Sequence, residues 1–326
     1  MCGLNNIGNT CWGNSLLQVF AKIPTLRVWL QQHETIAEDD RDHDEHCCLC
    51  YLAGDLRRLS NSVVNEPFAP RCMLNRVRWN ADYAGGEQQD AHEACIALLQ
   101  ACDRVDQAVL TRLSDDVEEL RTASAQCSTP FWYMFGGIQT TDTHCTVCST
   151  KNQVFEVFSM LQLAMPDEER PSVESALSLY LRRGRLLFTG PIDHRDVCRF
   201  QLADQDGKLS PPCGAIGRRT TQNSVERWPS VLSFGIKRQK FQDKRTQKIS
   251  KHLSFPLTLV ADKGITYGLR GVVAHIGETF NVGHYEAYVY GLDRKWFACS
   301  DNIQPRQVTV DKVMSVQAYL LFYEKT

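Results

Sequence analysis

One cysteine of this chain, Cys11, has the surroundings of a nucleophile. It lies between an Asn-, Gly- and Thr-rich turn and an apolar run in the stretch NNIGNTCWGNSLLQVF, and Asn9 or Thr10 can cap a helix that begins near it. The partial positive charge of a helix start favours a thiolate and can lower a cysteine pKa from about 8.5 to between about 3.5 and 7.5. A buried structural cysteine would show the same local pattern, so this stretch alone leaves both interpretations open.

A base for such a thiol occurs near the other end of the chain. His284 follows a glycine turn and begins an aromatic strand pattern in GHYEAYVYGL. A cysteine protease needs its nucleophile and base on opposite walls of a cleft, with a third polar group that orients the imidazole. Cys11 on a helix and His284 on a strand fit that arrangement.

The remaining cysteines fall into two close groups and several isolated positions. The chain has 14 cysteines, and the groups are HCCLC at 46–50 and HCTVC at 144–148. In a chain without a secretory signal, such groups indicate metal ligands or reactive thiols rather than a disulfide framework. Cys95 and Cys102 lie in a helical pattern and are expected to be small buried hydrophobes.

The elements that must position these groups change character along the chain. Residues 14–31 form a helical pattern that Pro24 interrupts, and from 88 to about 125 apolar residues recur at three- and four-residue steps. The remainder is rich in Thr, Val and Phe with alternating polarity, which indicates antiparallel strands. The sequence therefore predicts an α+β fold with a cleft between a helical layer and a strand layer.

Composition excludes several classes of function. The 326 residues carry a net charge of -2, which argues against bulk electrostatic nucleic-acid binding, because that needs a basic face able to release many counterions, and leaves only local basic patches open. The N-terminus lacks a basic segment followed by an apolar one, and no later run is long enough to span a bilayer. We expect an intracellular protein of the cytoplasm or nucleus, with neither nucleic acid nor membrane as a partner.

Five motifs, in order, resemble those of the ubiquitin-specific proteases. GLNNIGNTCWGNSLLQ resembles the Cys box of that family, and GHYEAYVY with KWFACSDN resembles its His box. GGEQQDAHEACIALL, WPSVLSFGIKRQKF and AYLLFYEK resemble the family's acidic signature, a palm strand and the last strand. These motifs span residues 3 to 325.

The resemblance implies a papain-like cysteine protease fold in one catalytic domain over residues 1–326. Its expected sub-regions are a thumb (1–127), fingers with part of the palm (128–245) and a palm with the His box (246–326). It implies a deubiquitinating thiol hydrolase that needs no cofactor for catalysis and cleaves isopeptide or peptide bonds after the C-terminal glycine of ubiquitin through an acyl-enzyme. The expected partners are ubiquitin or a ubiquitinated protein, with activating or targeting subunits, because the motifs leave no room for an accessory recognition domain.

The resemblance also assigns catalytic roles. By position in the motifs, Cys11 is the nucleophile and His284 the general base, and Asn6, five residues before Cys11, donates to the oxyanion. Loss of one such donor typically costs about 2.7–4 kcal/mol of transition-state stabilisation. For substrate binding the resemblance implies Gln89, Asp90, Gly283 and Tyr285. Asp90 is expected to face the basic tail of ubiquitin, and Gly283 belongs to an expected mobile blocking loop over that tail.

The group that orients His284 departs from the family pattern. The third catalytic residue, normally Asp or Asn, falls on Ser300 when counted from Trp296, and Asp301 follows directly. A serine hydroxyl can accept the imidazole N–H but brings no charge to stabilise an imidazolium. Successive strand residues point to opposite faces, so Asp301 can replace Ser300 only if the strand has already ended in a turn. Both residues therefore remain candidates.

The fingers of the family usually hold one zinc ion through two CxxC pairs. Here Cys145 and Cys148 supply the first pair, whereas the second pair, counted back from Pro229, falls on Ser210 and Cys213, so one ligand is missing. Cys198 or His194 can substitute for the missing ligand. The other interpretation is a hairpin held by packing alone, without zinc.

The cluster HDEHCCLC resembles an additional zinc site of the subgroup that acts within histone-modifying assemblies. Cys47 and Cys50 match the pair of that site, and His33, His43 and His46 compete to complete it. The other interpretation is a reduced, partly buried thiol cluster.

Two further functions remain open beside an active deubiquitinase. One is a ubiquitin-binding pseudoprotease that serves as a scaffold subunit, which the serine at position 300 alone favours. The other is a protease for a ubiquitin-like modifier. A reactive ubiquitin probe separates the first from the enzyme, because only an activated Cys11 becomes attached to it.

Overall fold

The computed structural model describes residues 1–39, 44, 46–61, 66–113, 129–182, 184–185, 198–201, 209–216, 219–242, 245–279 and 282–326. His43 and His194, both predicted as candidate metal ligands, lie outside these residues. The chain forms two compact units, one built from residues 1–136, 159–176 and 229–326 and the other from 137–158 and 177–228. Among the described residues, no helix combines the length and the apolar character needed to cross a membrane.

Helices dominate the described residues up to 136. The α-helices there are α1 (Cys11–Phe20), α2 (Pro24–Asp39), α3 (Cys48–Ser60), α4 (Arg71–Leu74), α5 (Ala91–Leu113) and α6 (Pro130–Phe135). Two more described α-helices follow later in the chain, α7 (Val173–Leu181) and α8 (Val310–Met314). The predicted interruption at Pro24 is a break between α1 and α2. Proline is the first residue of α2, where its missing N–H is not needed.

The strands are β1 (Gly137–Cys145), β2 (Lys151–Phe158), β3 (Leu161–Ala164), β4 (Gly184–Arg185), β5 (Arg219–Arg227), β6 (Val231–Lys237), β7 (Gln239–Gln242), β8 (Arg245–Lys248), β9 (Thr258–Val260), β10 (Thr266–Ile276), β11 (His284–Tyr290), β12 (Trp296–Ser300), β13 (Ile303–Val308) and β14 (Ala318–Lys325). In the first unit the strand order is β13-β12-β11-β10-β14-β6-β3, with β9 paired to β10. All of these pairs are antiparallel except β3 with β6.

The second unit is built on a separate antiparallel sheet of order β2-β1-β5-β4. A third, two-stranded ladder joins β7 to β8 within the first unit. The helical first part and the antiparallel remainder confirm the predicted α+β fold class. The division into thumb, fingers and palm stays a prediction.

The core of the first unit is centred on α1, every residue of which is buried. This helix packs between β10 and β11 on one side and α3 and α5 on the other. Phe20 meets Phe322 of the sheet edge-on at 5.7 Å, and Trp12 packs on Tyr83 at 5.4 Å. Burying a large apolar side chain contributes about 1.5–3 kcal/mol, so these contacts fix the helix that begins at Cys11.

Candidate active site and metal centres

Cys11 is the first residue of α1, as the sequence predicted. The predicted caps behave differently from the expectation. Thr10 occupies the N-cap position, but its Oγ1 accepts the N–H of Ile7, and Asn9 donates through Nδ2 to the carbonyl of Gly86 at 2.8 Å. Both side chains therefore tie the helix start to neighbouring loops. Asn9 has φ 51°, in the left-handed region that asparagine tolerates better than most residues.

The thiol of Cys11 meets the backbone of β11. Its sulfur accepts the backbone N–H of Tyr285, the residue that follows His284, so the thiol lies against the start of β11. Burial raises the pKa of Cys11 above its ordinary value, and the charge of Asp301 raises it further. The backbone N–H groups of Tyr285 and Trp12 only partly offset these effects. The expected lowering of the Cys11 pKa at a helix start is therefore wrong for this resting geometry, because desolvation outweighs the helix field.

The imidazole of His284 is oriented by Ser300. His284 Nε2 lies 2.8 Å from Ser300 Oγ, across the pairing of β11 with β12. Because Nε2 is engaged there, Nδ1 is the nitrogen that can take a proton from Cys11. Of the two candidates left open by the sequence, Ser300 is the one that contacts the imidazole.

Asp301 has a different set of contacts. Strand β12 ends at Ser300, and Asp301 begins a turn with φ 42°. This turn directs its carboxylate to the N-terminal segment, where Oδ2 accepts Asn6 Nδ2 and Oδ1 accepts Asn14 Nδ2, each at 2.8 Å. Asp301 therefore holds the side-chain amides of Asn6 and Asn14. It can do so because its own backbone is in the left-handed conformation at the end of β12.

Asn6 is exposed and is held at both ends of its amide. Its Oδ1 accepts the backbone N–H of Thr10 at 3.0 Å, and one Nδ2 hydrogen goes to Asp301. A primary amide has two N–H donors, so the second can meet an oxyanion beside Cys11. This geometry suits the predicted role of Asn6.

The predicted substrate-binding residues surround the same region. Asp90 caps α5, with Oδ1 accepting the N–H of His92 at 2.7 Å and Oδ2 accepting the hydroxyl of Tyr319 at 2.5 Å. Gln89 beside it is half-buried. Two bonds do not saturate a carboxylate, which offers about four lone-pair sites. Asp90 can therefore still receive a basic side chain.

Gly283 and Tyr285 flank His284 with different exposure. A Cβ on Gly283 would lie 2.4 Å from Nε2 of His275 and 2.6 Å from the carbonyl oxygen of Ile276, so only glycine fits there. The ring of Tyr285 is buried and packs on His275 at 4.6 Å. Tyr285 thus donates its backbone N–H to the Cys11 sulfur, while its side chain packs in the core.

A lysine that the sequence analysis missed fastens the segment leading to His284. Lys248 Nζ donates to the carbonyls of His275 and Gly277 at 2.9 and 2.6 Å and lies 2.9 Å from His275 Nδ1. Burial, with a smaller effect of Lys248, lowers the pKa of His275 to about 4, so the imidazole is neutral and can accept from the ammonium. Nothing in the basic run around Lys248 distinguishes this lysine from its neighbours.

Four cysteines of the second unit form a candidate metal centre. Cys145, Cys148, Cys198 and Cys213 bring their sulfurs within 4.8 Å of one another. The Cys145 to Cys213 and Cys148 to Cys198 separations are 4.0 and 3.7 Å. Tetrahedral zinc with Zn–S of about 2.3 Å requires S···S of about 3.8 Å. The cluster therefore has the composition and the spacing of a structural zinc site, and Cys198 supplies the ligand that the spacing left open.

The backbone explains how Cys198 reaches this centre. Its N–H donates to the carbonyl of Ala215 and its carbonyl accepts the N–H of Gly214, both at 2.9 Å, so the segments around 198 and 213 pair directly. In the pair formed by Cys145 and Cys148, a hydrogen bond from Thr150 lowers the pKa of Cys148 to about 6, which favours the thiolate that binds metal.

A second centre lies between α2 and α3 in the first unit. His33, Cys47 and Cys50 bring ligand atoms within 4.8 Å of one another, with His33 Nε2 at 3.4 Å from Cys47 Sγ. Tetrahedral zinc requires N···S of about 3.6 Å. Hydrogen bonding from Cys50 lowers the pKa of Cys47 to about 4. These three residues fit part of a zinc site.

His46, a predicted ligand of this second centre, is not one of these three residues. It precedes α3 on the exposed side, and its Nδ1 lies 2.8 Å from the hydroxyl of Tyr51. His33 takes part instead because α2 buries the face that carries it, where it stacks on Trp29 at 5.9 Å. The four-residue step from Trp29 to His33 is the sequence signal that favours His33 over the other two candidate histidines.

Comparison with known proteins gives consistent matches. The sequence profile of the family described as ubiquitin carboxyl-terminal hydrolase matches residues 2–323. The chain is 28% identical to ubiquitin carboxyl-terminal hydrolase 36 of Drosophila simulans over 99% of this chain and 31% of the relative. It is 25% identical to ubiquitin carboxyl-terminal hydrolase 51 of Mus musculus over 99% of this chain and 51% of the relative. The chain thus spans between about a third and a half of these relatives.

Solved structures with similar folds include several of the SAGA DUB module. One holds Ubp8, Sgf11, Sus1 and Sgf73 bound to monoubiquitin, with a TM-score of 0.76, 21% identity, and coverage of 100% of this chain and 69% of that chain. A yeast SAGA DUB module with a substituted Sgf73 gives a TM-score of 0.79 at 21% identity and covers 100% of this chain and 68% of that chain. At this identity the likeness concerns the fold, and it confirms the predicted papain-like architecture.

Proposed function

The chain belongs to the ubiquitin carboxyl-terminal hydrolase family, and from this premise we propose that it is a cysteine-type deubiquitinase with Cys11 as its nucleophile. It cleaves the isopeptide or peptide bond after the C-terminal glycine of ubiquitin. The observation that best supports the proposal is the hydrogen bond from the backbone N–H of Tyr285 to the Cys11 sulfur, because Tyr285 directly follows His284 in the chain.

The reaction begins with a protonated thiol. Because burial raises the pKa of Cys11, the proton leaves as the sulfur attacks, and it moves to His284 Nδ1. The sulfur bonds to the carbonyl carbon of the ubiquitin C-terminal glycine, and the carbonyl oxygen takes the negative charge. The free Nδ2 hydrogen of Asn6 donates to this oxyanion.

Collapse of the tetrahedral intermediate completes acylation. The C–N bond breaks, the departing amine takes the proton held by His284, and a thioester on Cys11 remains. His284 then removes a proton from water, whose oxygen attacks the thioester carbonyl. The C–S bond then breaks and His284 returns its proton to the departing sulfur, which leaves the free glycine carboxylate of ubiquitin and the Cys11 thiol. In both halves Ser300 keeps the imidazole in the orientation that presents Nδ1 to the reacting atoms.

The tail of ubiquitin enters between the α5 start and the segment before β11. The carboxylate of Asp90, which still has free lone pairs, accepts hydrogen bonds from a basic side chain of the tail. The neighbouring Gln89 bonds to amide groups of the tail. On the opposite side the tail passes Gly283, which directly precedes His284.

Partner subunits are part of the proposal. The SAGA DUB modules of similar fold hold Ubp8 together with Sgf11, Sus1 and Sgf73. This supports activating or targeting subunits for the present chain, with ubiquitin or a ubiquitinated protein as substrate. The two structural metal centres stabilise the fold and take no part in the chemical steps.

Hydrolysis of ubiquitin carrying a C-terminal fluorophore tests the proposal. The wild-type chain should release the fluorophore, and Cys11→Ala should abolish release while ubiquitin binding persists, since only the sulfur is removed. Parallel assays with fluorophores on ubiquitin-like modifiers identify the preferred tail. Turnover by Cys11→Ala at the wild-type rate would refute the nucleophile. Tight ubiquitin binding without turnover by the wild-type chain would instead support a pseudoprotease scaffold.

A further inference from the structure

Asn14 is a buried polar side chain one turn after Cys11 on α1, with 2% of its surface exposed. Its Nδ2 faces three oxygens, namely Asp301 Oδ1 at 2.8 Å and the carbonyls of Leu4 and Asn5 at 3.3 Å each. Turning the amide over would place Oδ1 against these acceptors, so they fix its orientation. Oδ1 itself is buried and has no hydrogen-bond partner among the described residues. Every bond of this side chain is a donation.

The three acceptors belong to one closely packed junction. The N–H of Leu4 donates to the carbonyl of Asp301 at 2.7 Å, and a Cβ on Gly3 would lie only 2.7 Å from that same carbonyl oxygen. The N-terminal segment therefore lies directly on the turn that begins at Asp301. Asn14 donates to both sides of this contact from the helix that carries the nucleophile.

We infer that Asn14 is a positioning residue that acts through Asp301 to aim the amide of Asn6. The carboxylate divides its two oxygens between the two asparagines, so the bond from Asn14 fixes the rotation of the carboxylate that Asn6 meets. Held in this way, Asn6 keeps its second Nδ2 hydrogen at one place. The inference rests on the proposed function, in which that hydrogen meets the oxyanion.

The role predicts a particular kinetic signature. An oxyanion donor matters most when the negative charge has developed, so misplacing it lowers kcat more than it changes KM. A side chain that only packs would lower thermal stability and leave the kinetics of the folded molecules unchanged. The effect of Asn14 should also vanish once Asn6 is gone, because it has no other route to the oxyanion.

A double-mutant cycle tests this role on the full chain with the fluorogenic ubiquitin substrate. We expect Asn14→Leu to lower kcat about tenfold with KM within about twofold, and Asn6→Ala to lower kcat by about 10²–10³. The double variant should be no slower than Asn6→Ala by more than about twofold. The inference would be overturned if the two single-variant losses in kcat multiplied in the double variant, or if Asn14→Leu left kcat unchanged.

Gln18→Leu is the matched control, since Gln18 is equally buried on α1 and donates to the carbonyl of Cys2 at 2.9 Å. It should show a comparable loss of melting temperature with kcat retained. Asn14→Ser provides a second variant should Asn14→Leu not fold, with the same expected kinetics.

A readout that does not need turnover separates this inference from the proposed function. In ¹⁵N-labelled protein the side-chain amide protons of Asn6 should shift in Asn14→Leu and stay unchanged in Gln18→Leu. An inactive wild-type chain would refute the proposed function and leave this amide signal as the test. An Asn6 amide signal unmoved by Asn14→Leu would refute the positioning role in an active or an inactive chain.

Discussion

Ser300 Oγ and His284 Nε2 lie 2.8 Å apart, so a neutral hydroxyl orients the imidazole of His284. The adjacent Asp301 turns away at φ 42° and bonds to Asn6 and Asn14. The orienting group and the nearby negative charge are therefore two different residues. In the proposed function, Ser300 positions the base His284 and Asp301 positions the Asn6 amide that meets the oxyanion.

Replacing Ser300 tests the first of these roles. Ser300→Ala should lower kcat about 10- to 100-fold, because a positioned base contributes about 10²–10⁴ and only its orientation is lost. Ser300→Asp should be tolerated or activating, since a carboxylate also stabilises the imidazolium. Steady-state kinetics with the fluorogenic substrate measure both. An unchanged kcat/KM in Ser300→Ala, with activity destroyed in Asp301→Ala, would transfer the orienting role to Asp301.

Asp301→Asn should separate thiol acidity from turnover. The charge of Asp301 raises the pKa of Cys11, so neutralising it should lower that pKa and speed alkylation of Cys11 by iodoacetamide near neutral pH. In the wild-type chain the alkylation rate should keep rising with pH above about 8.5, the ordinary thiol value. Turnover should nevertheless fall in Asp301→Asn because Asn6 loses its anchor. Slower alkylation in this variant than in the wild-type chain would contradict the assigned effect of Asp301.

The two thiol clusters should each bind one zinc ion. Elemental analysis of the purified chain should give about two zinc ions per molecule, and strong chelation should lower the melting temperature. Cys198→Ser should remove one ion and Cys50→Ser the other.

Ser210→Ala is the control for the zinc count, because simple spacing points to position 210 whereas the cluster contains Cys198. It should retain both ions. Loss of zinc in Ser210→Ala, or a full complement in Cys198→Ser, would contradict the assigned ligand set.

Lys248→Met should weaken substrate binding more than chemistry. It removes the ammonium that fastens the carbonyls of His275 and Gly277, and so loosens the segment next to Gly283, where the ubiquitin tail passes in the proposed function. We expect KM for the fluorogenic substrate to rise several-fold with kcat nearly retained. Lys240→Met, on the exposed face of β7, controls for the loss of one positive charge. Equal effects of the two variants would show that charge alone matters.

Much of the fold and of the site follows from local sequence. Cys11 at a helix start and His284 at the head of a strand are recognisable because their chemistry demands those residue types in those settings. The passage from helical to alternating patterns likewise predicts the α+β class, since periodicity follows the faces that each element buries.

The remainder depends on geometry that no local pattern contains. Whether Ser300 or Asp301 faces the base is decided by one left-handed residue at the end of β12. Cys198 joins the metal cluster through backbone pairing with a distant segment, and the raised pKa of Cys11 follows from burial by the whole fold. The orientation of Ser300 and Asp301, the position of Cys198 and the pKa of Cys11 all depend on tertiary contacts.

The most direct measurement of the central claim is the reaction of the chain with ubiquitin carrying a C-terminal electrophile. Mass spectrometry should show one ubiquitin attached to the wild-type chain, with the modified peptide containing Cys11, and none attached to Cys11→Ala. Such attachment requires both recognition of the ubiquitin tail and a thiol activated beside His284. A wild-type chain that binds ubiquitin but stays unmodified, or a probe attached to another cysteine, would contradict the account.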